Sequence, residues 1–118
     1  MRHEPSFLND IISGCRKIQT IIAATSEDTF LRDEVLPAAV LHHLTVIGEA
    51  VSRLSVELKE RHPEVPWRQI IAVRHRIVHA YFDLDRQILW DAAISDIPEL
   101  PRQVLEIVAI EFPESNPG

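Results

Sequence analysis

The sequence predicts an all-α fold, an antiparallel helical bundle of four main helices plus short ones, and three observations carry that prediction. Apolar residues recur at three- and four-residue steps over long stretches. Only 3 glycines occur in 118 residues, too few for a turn-rich β protein. No segment alternates apolar and polar residues at the period of two that a half-buried strand needs. The length fits one domain, residues 1–118, with a single hydrophobic core.

The elements follow in order. Residues 1–5 read as frayed. Over residues 7–22, Phe7, Leu8, Ile11, Ile12, Cys15, Ile18, Ile21 and Ile22 mark an amphipathic helix. Thr25-Ser26-Glu27-Asp28 places a cap and first-turn acids at the start of a short helix to about residue 32. Asp33 and Glu34 open the longest segment, expected to run to about residue 61, with Pro37 tolerated in its first turn. Val40, Leu44, Ile47, Val51, Leu54 and Leu58 form its core stripe, while Val46 and Val56 lie on another side, flanking Glu49. Gly48 inside this helix suggests close contact with a neighbour, since glycine there costs roughly 1 kcal/mol against alanine.

His62-Pro63-Glu64-Val65-Pro66 is a loop between two prolines. A helix over 67–81 follows, then a break at 82–85 with Asp85 as a candidate cap, a helix over 86–94, and a last helix over 98–110 that Pro98 and Pro101 either kink or start. Residues 112–118 read as a mobile tail. No apolar run approaches the ~20 residues that span a bilayer, and the start lacks a secretory apolar stretch, so the expected location is cytoplasmic. Cys15 stands alone, which excludes an intramolecular disulfide and suits a small core residue.

The formal charge of −6 argues against indiscriminate nucleic-acid binding. Its distribution matters more than its total. Residues 53–79 hold six Arg/Lys against three acids, a local +3 that leaves −9 on the rest of the chain. A basic patch on an acidic body can accept a polyanion there, and the acidic remainder can attract a basic partner or keep the chain soluble.

That basic segment ends in Arg74-His75-Arg76-Ile77-Val78-His79-Ala80-Tyr81, the candidate site. At ~100° per residue, Ile70, Val73, Ile77, Ala80, Tyr81 and Leu84 share one stripe, whereas Ala72, His75, Arg76, His79 and Asp83 gather opposite. Arg74 projects into the apolar sector, so its guanidinium needs a partner, a cleft or a second subunit. Arg74 and His79 lie about 140° apart on an ideal helix and do not converge within one straight helix. His75 and His79 share a face, which spacing alone reads as a solvated stripe; a metal site would need further ligands, with His42 or His43 as candidates for one. Tyr81 reads by default as a core aromatic. An arginine and a histidine together, without metal motif or phosphate loop, suit RNA cleavage through the internal 2′-hydroxyl: the histidine moves a proton and the arginine holds the phosphate.

The segment Arg74 to Asp83 resembles the R-x4-H-x-Y signature of HepT-like toxins of the HEPN superfamily. Val46-Ile47-Gly48-Glu49-Ala50 and Pro66-Trp67-Arg68-Gln69-Ile70 resemble that family's other recurrent blocks, so that the likeness covers roughly residues 7–110. The resemblance implies a homodimeric HEPN-like bundle whose R-x4-H motifs meet in a cleft, and a metal-independent endoribonuclease that needs no cofactor. It maps Arg74 and His79 onto the catalytic pair, with Glu49, Arg68, His75 and Arg76 in supporting or substrate-binding positions. It further implies a toxin–antitoxin module whose antitoxin, an MntA-type nucleotidyltransferase, adenylylates Tyr81 and so blocks the phosphate site with bulk and charge. Family members often carry an arginine where this chain has His42-His43. Glu49 is expected to pair with a site arginine or, at i,i+4, with Arg53. The alternatives are a non-catalytic helical dimer that binds a nucleotidyltransferase or a nucleotide, and a histidine-rich metal-binding bundle.

Overall fold

An acid at its first position and a proline at its second start helix α1, Glu4–Ala23, where an orphan N–H would otherwise go unbonded. The structure, a computed structural model, describes residues 3–79 and 85–115, and only the backbone of 74–79 and 115. The helix thus begins at Glu4, inside the stretch expected to fray. The Glu4 carboxylate accepts the backbone N–H of Ser55 at 2.6 Å, tying the first turn of α1 to a site 51 residues on. Leu8, Ile11, Cys15 and Ile18 of α1 are fully buried, as the periodicity predicts.

Helix α2, Glu27–Arg32, is capped by the Ser26 hydroxyl, which accepts from the Thr29 N–H at 3.2 Å. It buries Phe30 against Trp90, with ring centroids 5.3 Å apart. Asp33 then accepts the N–H groups of Val35 and Leu36 at 2.9 and 2.7 Å, which satisfies the first turn of α3, Val35–Arg53.

The expected single helix to residue 61 is two helices. Leu54 turns extended (φ −72°, ψ 147°), and α4, Val56–Arg61, restarts with the Ser55 hydroxyl accepting from the Leu58 N–H at 3.1 Å. Three local bonds hold the break: this cap, the Glu4 carboxylate on Ser55, and Lys59 Nζ donating to the Val51 carbonyl at 3.3 Å. The predicted core stripe survives it, since Val40, Leu44, Ile47, Val51, Leu54 and Leu58 are all buried. Val56, by contrast, is 62% exposed.

Length and a mean hydropathy of 1.4 would let α3 cross a membrane, which differs from the sequence expectation. In the fold it is the central core helix, packed against α1 on one side and α5 on the other. Gly48 is buried within it, and Gly14 of α1 also makes a close approach. A Cβ there would lie 2.8 Å from Cγ1 of Ile47.

The loop 62–66 is as expected, and α5 spans Trp67–His79. The expected extension of α5 to residue 81 and the break at 82–84 lie outside the described residues. Asp85 caps α6, Arg86–Ser95, by accepting from the Ile88 N–H at 3.1 Å. Helix α7, Leu100–Glu111, starts two residues later than expected, with Pro101 in its first turn. Within the stretch expected to be mobile, Phe112 packs against the core and Pro113–Ser115 form a 3-10 turn. Among the described residues every regular element is helical.

One ionic cluster joins α7 to the end of α4. Glu111 accepts from Arg61 through Nε at 3.0 Å and a second guanidinium nitrogen at 2.7 Å, and bonds His62 Nε2 at 2.8 Å. These contacts hold its carboxyl far below the usual range, at about 2, the Arg61 bonds contributing most. An ionised carboxylate only accepts, so Nε2 of His62 carries the proton.

Candidate functional site

Helix α5 carries the segment singled out from the sequence, and its first turn is fastened by main-chain bonds. The indole of Trp67 donates to the carbonyls of His62 and Lys59, at 3.0 and 3.2 Å. Trp67 is buried because the loop folds under it, with Val65 also buried. Gln69 then donates to Asp96 at 3.1 Å, tying α5 to the end of α6. Ile70 and Val73 bury against Leu44 and Ile47 of α3 and Ile97, which sets the rotation of α5 on the core. Trp67 and Gln69 belonged to a block noted for its resemblance, yet their anchoring role was not anticipated. The available signal was a tryptophan in the first turn after Pro66, where its indole N–H must find an acceptor once buried.

Arg74, His75, Arg76 and His79 all lie on the backbone of this one helix; their side chains are outside the described residues, and so is Tyr81 altogether. The five-residue step from Arg74 to His79 advances about 7.5 Å along the axis and turns about 140°. Ile70 and Val73, the described members of the predicted apolar stripe, are buried, and Ala72 of the opposite side is exposed.

The two supporting candidates with described side chains fall in different places. Arg68 is exposed and lines a shallow groove of about 300 Å³ with Lys59, Val56 and Ile71, between α4 and the start of α5. Glu49 is half-buried on α3 and lines a separate groove of about 300 Å³ with Asp10, Thr45 and Arg53, towards α1. Arg68 and Glu49 therefore do not share a groove. The i,i+4 pair of Glu49 with Arg53 is not among the ion pairs of the described residues.

The rings of His42 and His43 meet edge to face with centroids 5.1 Å apart. His43 is half-buried, and burial first, then the charges of His42 and Lys17, lower its pKa. It lines a cavity on the α1 side of α3. Among the described residues no three metal-ligating side chains gather. Cys15 is fully buried and its thiol is pushed up to about 12 by that burial, which keeps it protonated and inert.

Comparison with known proteins bears directly on α5. Residues 11–107 match the family described as "Ribonuclease HepT-like". Over 111 residues the chain is 35% identical to the "Putative RNase" of Caldanaerobacter subterraneus subsp. tengcongensis, covering 94% of this chain and 99% of that one. A "Putative RNase" of Methanocaldococcus jannaschii is 33% identical over 94% of this chain and 93% of its own. The "Probable ribonuclease HepT" of Thermococcus cleftensis is 34% identical over 84% and 90%. No solved structure matches the chain. The matched span takes in α3, the anchored first turn of α5 and all of the Arg74–His79 segment, and the chain belongs to the HepT-like ribonuclease family.

Proposed function

We propose that this protein is a metal-independent endoribonuclease that cleaves RNA by internal attack of the 2′-hydroxyl and uses no cofactor. The observation that carries the reading is the family match over residues 11–107, which contains the arginine and histidine of R-x4-H spacing on one helix. In this reading the 2′-oxygen attacks the adjacent phosphorus as its proton leaves, and the bond to the 5′-oxygen breaks. His79 moves the proton that this exchange requires, as imidazole side chains do in general acid–base catalysis. Arg74 holds the phosphoryl oxygens and the negative charge that builds on them. The products are a 2′,3′-cyclic phosphate and a free 5′-hydroxyl.

The ~140° between Arg74 and His79 on a straight helix supports a homodimer, in which the arginine of one subunit and the histidine of its partner serve one cleft. Arg68, exposed on the groove at the start of α5 beside Lys59 and Glu60, offers a further phosphate contact for the strand. We assign the protein to a cytoplasmic toxin–antitoxin module, with an MntA-type nucleotidyltransferase as antitoxin and Tyr81 as the residue it adenylylates. An added AMP brings a negative phosphate next to the site that must receive one, and repulsion with bulk would close it to RNA.

The test is cleavage of single-stranded RNA in EDTA with end-group analysis. Wild type yields cyclic phosphate ends, and His79→Ala or Arg74→Ala loses cleavage by about 100-fold or more while remaining folded. Cleavage that survives both substitutions refutes the assignment. Intact RNA together with retained binding of the nucleotidyltransferase would instead identify a non-catalytic scaffold.

A further inference from the structure

Outside α5, a groove of about 590 Å³ is bounded by α1, α3 and α7. That size falls within the roughly 300–1,000 Å³ of ordinary ligand clefts. Its walls carry Arg16 and Lys17 from the exposed side of α1 and His43 from α3. Among the described residues no acidic side chain lines it, although the chain as a whole is −6. Neither Arg16 nor Lys17 forms an ion pair among the described residues, whereas Arg32, Arg61 and Arg102 each do. Three cationic or titratable groups thus crowd one groove without a counter-charge, and the Lys17 charge acts on His43. Such an arrangement opposes folding through like-charge repulsion and is relieved by an anion.

The remaining lining says what kind of anion fits. Ile12, Ile21 and Leu105 give the groove an apolar floor, and Asn9 and Ser13 supply short hydrogen-bonding groups at its edge. His43, half-buried and in edge contact with His42, lines the groove, and an imidazole ring is a surface of the type on which unstacked bases rest. We propose that this groove holds a nucleotide segment of single-stranded RNA, its phosphates on Arg16 and Lys17 and a base over the apolar floor beside His43. The choice of RNA over another polyanion rests on the ribonuclease reading. The groove lies on the α1 face of α3, while α5 packs on α3 through Leu44 and Ile47, so it is a second contact for the strand and not part of the R-x4-H segment.

The test measures binding without requiring cleavage. Anisotropy of a labelled single-stranded RNA 12-mer is followed against salt for the full-length His79→Ala protein, with and without Arg16→Ala/Lys17→Ala. Removing two phosphate contacts should weaken binding roughly tenfold at low salt and reduce the slope of log affinity against log salt by about 1.4. Both side chains are exposed, and thermal unfolding checks that the fold is kept. Ser13→Glu, which places a negative charge in the same groove, should weaken binding in the same direction. Unchanged affinity and slope in both variants overturn the proposal. Competition by polyglutamate as strong as by RNA overturns the choice of RNA, and displacement by AMP at equal concentration overturns the strand in favour of a free nucleotide. Should wild type prove unable to cut RNA, these binding results still stand or fall separately.

Discussion

Replacing Glu111 with alanine isolates the cluster that joins α7 to α4, and its cost is calculable from the geometry. The substitution removes two bonds from Arg61 and the 2.8 Å bond from His62. His62 is only 7% exposed, so its ring N–H would lose its carboxylate partner in a site with little access to water, at about 1–3 kcal/mol. The Arg61 side chain is half exposed, so solvent screens its share. The same contacts lower the carboxyl itself from 4.5 to about 2. That shift sets an upper bound of roughly 3 kcal/mol, and discounting it for the solvent around Arg61 gives about 2 kcal/mol. The sign follows from linkage. A carboxylate depressed in the folded state contributes its full stability above the unfolded value near 4.5, and loses it as pH falls towards about 2. Urea unfolding at pH 7 should therefore show Glu111→Ala less stable by about 2 kcal/mol, a gap that narrows steadily between pH 5 and pH 2.5. A gap of constant size over that range would refute the electrostatic account, and one below about 0.5 kcal/mol at pH 7 would refute the cluster's role.

Two further predictions concern the α1–α3 contact and the buried thiol. Gly14→Ala gains up to ~1 kcal/mol of helix propensity but forces a Cβ to 2.8 Å from Ile47, an overpacking cost of about 1–3 kcal/mol, so net destabilisation is expected. Adding Ile47→Ala should recover part of that loss in a double-mutant cycle, with coupling of at least ~0.5 kcal/mol; simple additivity would argue against the contact. Cys15, fully buried with its thiol at about 12, should resist a thiol reagent at pH 8 in the folded protein and react within minutes once unfolded, so equal rates in both states would contradict its placement.

Much of the architecture was legible because it rests on local signals. Ser26 and Asp85 cap the helices they were expected to cap, and the 62–66 loop falls between its two prolines. The stripe from Val40 to Leu58 is buried throughout, although the helix thought to carry it is broken. The break escaped notice because neither glycine nor proline marks it, and periodicity runs on across Leu54. Its signal was Ser55 followed by an acid at Glu57, a helix start inside an apolar run; its lock, Glu4, lies 51 residues away and leaves no local trace. For the same reason the pairing of His62 with Glu111 was invisible, since only folding brings them together. The candidate site was readable as a motif on a helix, whereas the α1 groove was not. Counting charge along the chain placed Arg16 and Lys17 in the acidic remainder, and three-dimensional packing sets them on one groove with His43.

The fastening of Trp67 has a mechanical meaning for the rest of α5. A helix rises about 1.5 Å and turns about 100° per residue, so the backbone of His79 stands roughly 18 Å along the axis from the indole. Between these points the helix keeps phase like a threaded rod: whatever fixes the first turn also fixes the angle at which every later residue leaves the axis. One carbonyl from the last turn of α4 (Lys59), one from the loop (His62) and the Asp96 carboxylate at the end of α6 hold that first turn. The loop residues thus act as a register mark for the Arg74–His79 segment, without themselves having to touch whatever it meets.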